Sequence, residues 1–154
     1  MTTMSRVDFA FGAPDRLRMA CEVVRKHYAA GRPLVVYTQN NQLMGRFDRL
    51  LWSFEPDAFI PHVDAADPLA PQTAVIFTTA APMPDMHARH AQAPVWLINL
   101  DADIPPTASH FPRILEVIDN KPAEVAAARQ RWRAYKQEGH ELFAHDVSNT
   151  VPAS

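Results

Sequence analysis

The fold class follows from residues 6–39, which read RVDFAFGAPDRLRMACEVVRKHYAAGRPLVVYTQ. The first part, RVDFAFGA, alternates apolar and polar residues and runs into a glycine and a proline, which predicts a strand followed by a turn. Apolar residues then recur at helical spacing between Asp15, which can cap a helix, and Gly31, which can end one. The β-branched run PLVVYTQ predicts a strand buried on both faces. A strand, a helix and a strand in this order form the unit of a parallel α/β sheet.

The remainder of the chain continues this alternation. Asn40 or Asn41 can cap a second helix, and the runs TAVIFTT at 73–79 and PVWLINL at 94–100 predict two further strands. The proline-flanked segment between those runs predicts a loop or a poor helix. After DADIPP a helix is predicted because four apolar residues fall on one face, and a last helix is predicted between Pro122 and Gly139. The four apolar residues are Phe111, Ile114, Leu115 and Ile118.

We therefore expect a single α/β domain over residues 1–146. The domain is expected to have three layers, with a mostly parallel, Rossmann-like sheet between flanking helices. Residues 147–154 are expected to form a flexible C-terminal tail. The length of 154 residues and the hydrophobic content of 47% agree with one domain that has a substantial core.

Composition also limits the partners and the compartment. The net charge of −2 gives no whole-surface attraction to nucleic acid, so any such binding has to be local. No apolar run reaches the roughly 20 residues that a membrane span needs, and the N-terminus lacks the pattern of a signal peptide. The single cysteine, Cys21, cannot form an intramolecular disulfide and suits a core position in a reducing compartment. We expect a cytoplasmic protein with no membrane partner.

Residues that could support catalysis, a cofactor or a metal are few. The glycines lie too far apart for a phosphate-binding loop, and Pro14 and Asp15 in the first strand-to-helix turn remove an amide donor and add a repelling charge. This predicts no nucleotide-binding loop and no cofactor. His87 and His90 form the best local pair of histidines, but a zinc site lacks further ligands, so solvated loop histidines are the preferred interpretation. No G-x-S-x-G motif marks a nucleophilic serine, and no catalytic residue is predicted.

The last predicted helix carries a cationic stripe around an aromatic residue. Arg129, Trp132, Arg133 and Lys136 fall at positions i, i+3, i+4 and i+7, so three cations surround one indole, and Arg131 adds positive charge beside them. An acidic ligand with an aromatic group would match this stripe, because arginine binds carboxylates with two parallel hydrogen bonds. Phosphate with a stacked base would match it as well. A solvated helix face whose arginine stems cover the indole is the third interpretation that the residues leave open.

A second unusual segment is LWSFEPDAFIPH, residues 51–62. Its three aromatic residues, Trp52, Phe54 and Phe59, cannot all pack into one seam because Pro56 and Pro61 interrupt regular structure. Some of this apolar area is expected to stay exposed as a surface for a partner. A loop that packs its own aromatic residues is the alternative interpretation.

At these residues the sequence resembles the chi subunit family of the bacterial DNA polymerase III holoenzyme. The resemblance rests on LW at 51–52 followed by FIPH at 59–62, on ARQRWRAYKQEG at 128–139, and on the order of the elements. It covers the chain from Val7 to about Phe143.

The resemblance implies a non-catalytic, Rossmann-like subunit that needs no cofactor and associates with the clamp loader. It implies two protein partners: the psi subunit or a functional equivalent, and the C-terminal tail of single-stranded-DNA-binding protein. That tail is acidic and ends in Pro-Phe with a free carboxylate. The implied tail-binding residues are Arg129, Trp132, Arg133 and Lys136, and the implied psi-binding residues are Trp52 and Phe59.

These expectations combine into one functional hypothesis with three rivals. The hypothesis is a coupler that joins the replication machinery to protein-coated single-stranded DNA and contacts the DNA only indirectly. The first rival is a module that binds single-stranded nucleic acid directly on the same stripe. The second is a small-molecule enzyme with a site near Gly12, Gln39 or Asp101, and the third is a purely structural module.

Overall fold

The computed structural model of the chain describes residues 5–55 and 57–148. Within these residues it has seven strands and three α-helices, joined in part by short 3-10 turns. The strands are β1 (Arg6–Ala13), β2 (Leu34–Tyr37), β3 (His62–Asp64), β4 (Val75–Thr78), β5 (Trp96–Asn99), β6 (Arg113–Asp119) and β7 (Glu141–Asp146), and the helices are α1 (Arg16–Ala29), α2 (Asn41–Ser53) and α3 (Pro122–Gln137).

All seven strands form one sheet in the order β3-β4-β2-β5-β6-β1-β7, and the paired strands run parallel. This confirms the predicted three-layer, parallel α/β architecture. Because the strands are parallel, their carboxyl ends share one edge of the sheet, the carboxyl edge, and their amino ends share the opposite one, the amino edge.

Helices cover the two faces of the sheet unequally. The α1 and α2 helices pack on one face, where Cys21 and Phe47 join Val36 and Leu115 in a buried cluster. The α3 helix packs on the other face, where Tyr135 lies among strand residues. Burial raises the pKa of the Cys21 thiol to about 12, so this residue acts in packing and not as a nucleophile. We call the two surfaces the α1 face and the α3 face.

Local signals for the helix ends are confirmed. Asp15 caps α1 by accepting a hydrogen bond from the Arg18 N–H at 3.2 Å, and Asn40 caps α2 through the Leu43 N–H at 3.0 Å. After α1 the chain reverses at Gly31, whose φ of +83° is a conformation that favours glycine.

The helix predicted around residues 111–118 is wrong, because residues Arg113–Asp119 form strand β6. This strand lies between β5 and β1 inside the sheet and is buried on both faces, so it shows no alternation of apolar and polar residues. Its apolar side chains therefore matched helical spacing by coincidence. Glu116, buried at its centre, further obscured the apolar run that marks an internal strand.

Two strands at the edges of the sheet were not predicted from the sequence. β3 has three residues, and β7 pairs with β1 along one side only. Beyond β7, the Val147 N–H donates to the Phe11 carbonyl at 2.9 Å, while residues 149–154 of the predicted tail lie outside the described residues. Among the described helices, none has the length and apolar character to cross a membrane.

Candidate functional site

A buried polar network fixes α3 against the sheet. Glu116 of β6 accepts hydrogen bonds from Arg131 Nε at 3.0 Å, from the Tyr135 hydroxyl at 2.8 Å and from Asn99 Nδ2 at 2.8 Å. The Arg131 and Glu116 side chains are 2% and 0% exposed. Burial first, and then the neighbouring Glu116 carboxylate, raise the pKa of Tyr135 well above its usual range. This network sets which side of α3 faces the sheet.

Arg131 therefore adds nothing to the surface charge of the helix, contrary to the sequence prediction. Its charge is paired with Glu116, which lies in another element and whose contact could not be foreseen from the helix alone. Replacing one member of such a buried pair leaves an uncompensated charge and costs about 3–5 kcal/mol. Arg131 is thus a structural residue.

Trp132 follows Arg131 and lies at the border between core and solvent. It is half-buried, and its ring meets the edge of Phe9 on β1 with centroids 5.1 Å apart and an interplanar angle of 64°. Arg129, Arg133 and Lys136 are exposed. The indole is thus held on one side by the core and remains open on the other.

Next to Trp132 a cavity of about 340 Å³ opens between α3 and the carboxyl ends of β1 and β6. One of its walls is a helical stripe spaced i, i+3, i+4 and i+7, and strand residues form the opposite wall. The stripe consists of Val125, Ala128, Arg129 and Trp132, and the strand wall includes Phe9, Phe11, Gly12 and Ile118.

The cavity contains half of the stripe predicted from the sequence. Arg129 and Trp132 line it, whereas Arg133 and Lys136 continue along the helix beyond it. Phe11 is 42% exposed, which is unusual for a phenylalanine and extends the apolar surface outward. The strand residues were missed because they come from distant parts of the chain. Val125 and Ala128 could have been found from the sequence, because they share the i, i+3, i+4 and i+7 spacing with Arg129 and Trp132.

Positive charge dominates the outer side of α3. Among residues 5–55 and 57–148, none of the three exposed cations Arg129, Arg133 and Lys136 forms an ion pair. Three acids lie in this region: Glu124 lies 3.7 Å from Arg16, Glu138 lies 3.3 Å from a histidine, and Asp119, which lines the cavity, accepts the Lys121 N–H at 2.9 Å. The cavity thus has a mainly apolar lining with Arg129 at its rim, a combination suited to a ligand with an apolar group and a carboxylate.

The second predicted surface is an aromatic pair at the other end of the sheet. Trp52, in the last turn of α2, is 49% exposed and Phe59 is 74% exposed, with ring centroids 5.6 Å apart. Phe54 is buried, so the segment divides its aromatic residues between core and surface. The Trp52 ring also packs on the His62 ring, with centroids 4.2 Å apart, and this contact fixes the orientation of the indole. We call Trp52 and Phe59 the aromatic pair.

Two other candidates from the sequence, the pair of His87 and His90 and the single residue Asp101, form hydrogen bonds with nearby protein groups. His87 is 1% exposed, so the interpretation of a solvated histidine is wrong for it, while His90 is exposed. Burial lowers the pKa of His87, and its Nδ1 accepts the Arg89 N–H. No group of three metal-ligating side chains occurs in the described part of the chain. Asp101 accepts hydrogen bonds from Thr38 and Gln39, which ties together the loops after two neighbouring strands.

Comparison with known proteins identifies the family. The family described as "DNA polymerase III chi subunit, HolC" matches residues 4–143. The DNA polymerase III subunit chi of Pseudomonas aeruginosa is 31% identical over 147 residues, which cover 92% of this chain and 96% of that protein. The proteins of the same name from Haemophilus influenzae and Escherichia coli K12 are each 22% identical, over 84% and 81% of this chain and 85% and 81% of their own lengths. This chain belongs to the DNA polymerase III chi subunit family.

Proposed function

We propose that this chain is a non-catalytic, clamp-loader-associated subunit that couples the DNA polymerase III holoenzyme to single-stranded-DNA-binding protein. It does so by binding the acidic C-terminal tail of that protein in the α3 cavity. The observation that carries the proposal is the apolar cavity with Arg129 at its rim and two further free cations along the same helix.

The cavity fits the end of such a tail chemically. A terminal phenylalanine ring would pack against Trp132 and the apolar wall, and its free carboxylate would meet the Arg129 guanidinium. Acidic residues further back along the tail would meet Arg133 and Lys136. The ligand would reach the open side of the indole across from the apolar strand wall, and such an enclosed space suits a terminal side chain, which favours the peptide over nucleic acid at this site.

The expected affinity is modest and sensitive to salt. Burial of one phenylalanine ring contributes about 2 kcal/mol, and each exposed contact between a cation and a carboxylate contributes about 0.5–1 kcal/mol. Salt screens the charged contacts and leaves the apolar one. Many tails displayed on one coated DNA strand would strengthen the attachment through multivalency.

The aromatic pair is the proposed contact for the psi subunit or its functional equivalent. Trp52 and Phe59 lie beside β3, whereas the cavity lies beside β1 and β6, several strands away in the same sheet. Both partners can therefore bind at once, as a coupler requires. DNA would be reached through the coating protein, and the site of action would be the cytoplasm.

A peptide titration tests the cavity. A fluorescent acidic peptide ending in Pro-Phe is titrated into the wild-type protein, Arg129→Ala and Arg133→Ala, with Arg49→Ala at an exposed position of α2 as a matched control. We expect Arg129→Ala to weaken binding about fivefold, Arg49→Ala to leave it unchanged, and amidation of the peptide terminus to reproduce the loss. Equal affinity for all variants and for the amidated peptide would overturn the proposal.

A further inference from the structure

A row of arginine and aromatic side chains crosses the amino edge of the sheet on the α1 face. Arg6 of β1 lies in register with Arg113 of β6, and Leu97 pairs with Ile114, which places Trp96 beside Arg113. Residues in register on parallel strands point to the same face. We call this set the arginine row; from one end to the other it consists of Arg32, Trp96, Arg113, Arg6 and Phe143.

Each arginine of the row lies over an aromatic ring. The guanidinium carbons of Arg32 and Arg113 lie 4.3 Å and 4.4 Å from the centre of the Trp96 ring, and that of Arg6 lies 4.3 Å from the Phe143 ring. Stacking on a ring holds a guanidinium in place and leaves in its plane the N–H groups that no protein group uses. Arg32 donates one of its N–H groups, on Nη1, to the Pro94 carbonyl at 3.0 Å, and Arg6 donates Nε and Nη2 to Asp8. The three cations are thus positioned before any ligand arrives.

A buried carboxylate anchors the centre of the row. Asp8 accepts hydrogen bonds from Arg6 Nε at 3.0 Å, from Arg113 Nε at 2.8 Å and from His145 at 2.8 Å. Burial alone would raise the pKa of Asp8, but the hydrogen bonds from Arg6, His145 and Arg113 outweigh it and lower that pKa. One ionised carboxylate therefore holds two arginines without using all their donors. Nη1 and Nη2 of Arg113 make no hydrogen bond with any described residue.

The row is a positive region on an acidic chain. Its three arginines are opposed by Asp8 and by Glu141, which lies in register with Arg6 on β7. His27 packs on Trp96 with ring centroids 5.1 Å apart, and its pKa is lowered to about 4, first by burial and then by the nearby positive charges. Those charges are Arg113, Lys26 and Arg32. Three arginines against two carboxylates leave the row with a net positive charge, although the net charge of the chain is −2.

We propose that the arginine row binds the phosphodiester backbone of single-stranded nucleic acid. The row crosses β2, β5, β6, β1 and β7 in single file, which spans about 19 Å at the usual strand spacing. Guanidinium groups fixed at intervals along one line can meet successive phosphates of a strand. Because guanidinium groups already cover Trp96, the contacts go to phosphates, and binding is independent of base sequence.

This surface is separate from the proposed peptide site. The row lies at the amino edge on the α1 face, whereas the α3 cavity lies at the carboxyl edge on the opposite face. A subunit that binds the tail of the coating protein would then also touch the strand itself. The inference stands without the peptide site, and each can fail alone.

Fluorescence anisotropy with a labelled oligothymidylate of about 20 nucleotides tests the row. We expect a dissociation constant of about 10⁻⁵–10⁻⁴ M at low salt, with a slope of about −2 in log affinity against log salt for three phosphate contacts. Arg32→Glu should weaken binding about tenfold. Arg6→Gln should weaken it about threefold and leaves Asp8 with two partners, so it serves as a second variant if Arg32→Glu unfolds.

Two controls make the result specific. Arg46→Glu reverses an exposed charge on α2 away from the row and should leave oligonucleotide binding unchanged, as should Arg133→Ala on α3. No measurable binding, equal losses in Arg32→Glu and Arg46→Glu, or tighter binding of a duplex of the same length would each overturn the proposal. A loss of acidic-peptide binding in Arg32→Glu with unchanged oligonucleotide binding would also overturn it, because the row would then serve an acidic protein.

Discussion

The two faces of the sheet each bury a carboxylate that binds arginine, yet the outcomes differ. On the α3 face, Glu116 and Arg131 are both enclosed, and the pair serves only to fix the helix. On the α1 face, Asp8 is buried, but its partners Arg6 and Arg113 are 45% and 24% exposed. The placement of the guanidinium, and not the presence of a buried carboxylate, therefore decides whether an arginine is structural or available to a ligand.

The largest effect on stability is expected for the buried ion pair of Glu116 and Arg131. Arg131→Met removes the ion-pair partner of the buried Glu116, and we expect the free energy of unfolding to fall by about 3–5 kcal/mol. The double variant Arg131→Met/Glu116→Leu removes both charges and should recover most of that loss. Urea denaturation of the three proteins measures this difference. A loss below about 1 kcal/mol for the single variant would show that the pair is not enclosed.

A smaller effect on stability is expected at Asp8, whose arginine partners are partly exposed. Asp8→Asn removes a charged acceptor from two arginines, and we expect a loss of about 2 kcal/mol at neutral pH. Because the pKa of Asp8 is lower in the folded state than its usual 3.8, its stabilisation is complete well above that pH and is lost as the pH falls through the folded value. The free energies of unfolding of the variant and the wild type, measured by urea denaturation from neutral to acid pH, should therefore converge as the pH falls. A constant difference between them at all pH values would contradict this role of Asp8.

The conservative change Arg113→Lys tests how much stacking on Trp96 contributes to stability. Arg113→Lys keeps the charge but loses the planar contact with Trp96 and the Nε–H donor to Asp8, so we expect a loss of about 1 kcal/mol in stability. Thermal unfolding followed by circular dichroism measures it. Arg49→Lys, at an exposed position of α2, is the matched control and should have no effect. Equal melting temperatures for both variants would mean that the stack contributes nothing.

The smallest effect is expected at the end of the α3 stripe. Lys136 is exposed and does not line the cavity, so Lys136→Ala should leave stability within about 0.5 kcal/mol and lower peptide affinity less than about twofold. Peptide titration by anisotropy checks this beside Arg129→Ala. A greater loss for Lys136→Ala than for Arg129→Ala would move the charged contact away from the cavity.

Most of the fold could be predicted because its signals are local. The Asp15 and Asn40 caps, the Gly31 turn and the strand ending at Tyr37 depend on neighbours in the chain. Strand β6 was mistaken for a helix because a strand buried on both faces lacks alternation, and its Glu116 finds partners 15 and 19 residues away in the chain.

The candidate sites divide in the same way. Arg129 and Trp132 share a helix, and their spacing alone places them on one stripe. The opposite wall of the cavity and the whole arginine row could not be predicted, because each assembles residues from separate segments. Arg6, Arg32, Trp96, Arg113 and Phe143 come together only when β2, β5, β6, β1 and β7 pair in that order.

Amide chemical-shift mapping shows directly whether the α3 cavity receives the phenylalanine end of an acidic tail. A ¹⁵N-labelled protein is titrated with an acidic peptide ending in Pro-Phe. We expect the largest shifts at Ile118, Val125, Ala128 and the indole N–H of Trp132. Shifts centred on the aromatic pair or on the arginine row, with the cavity residues unmoved, would contradict it.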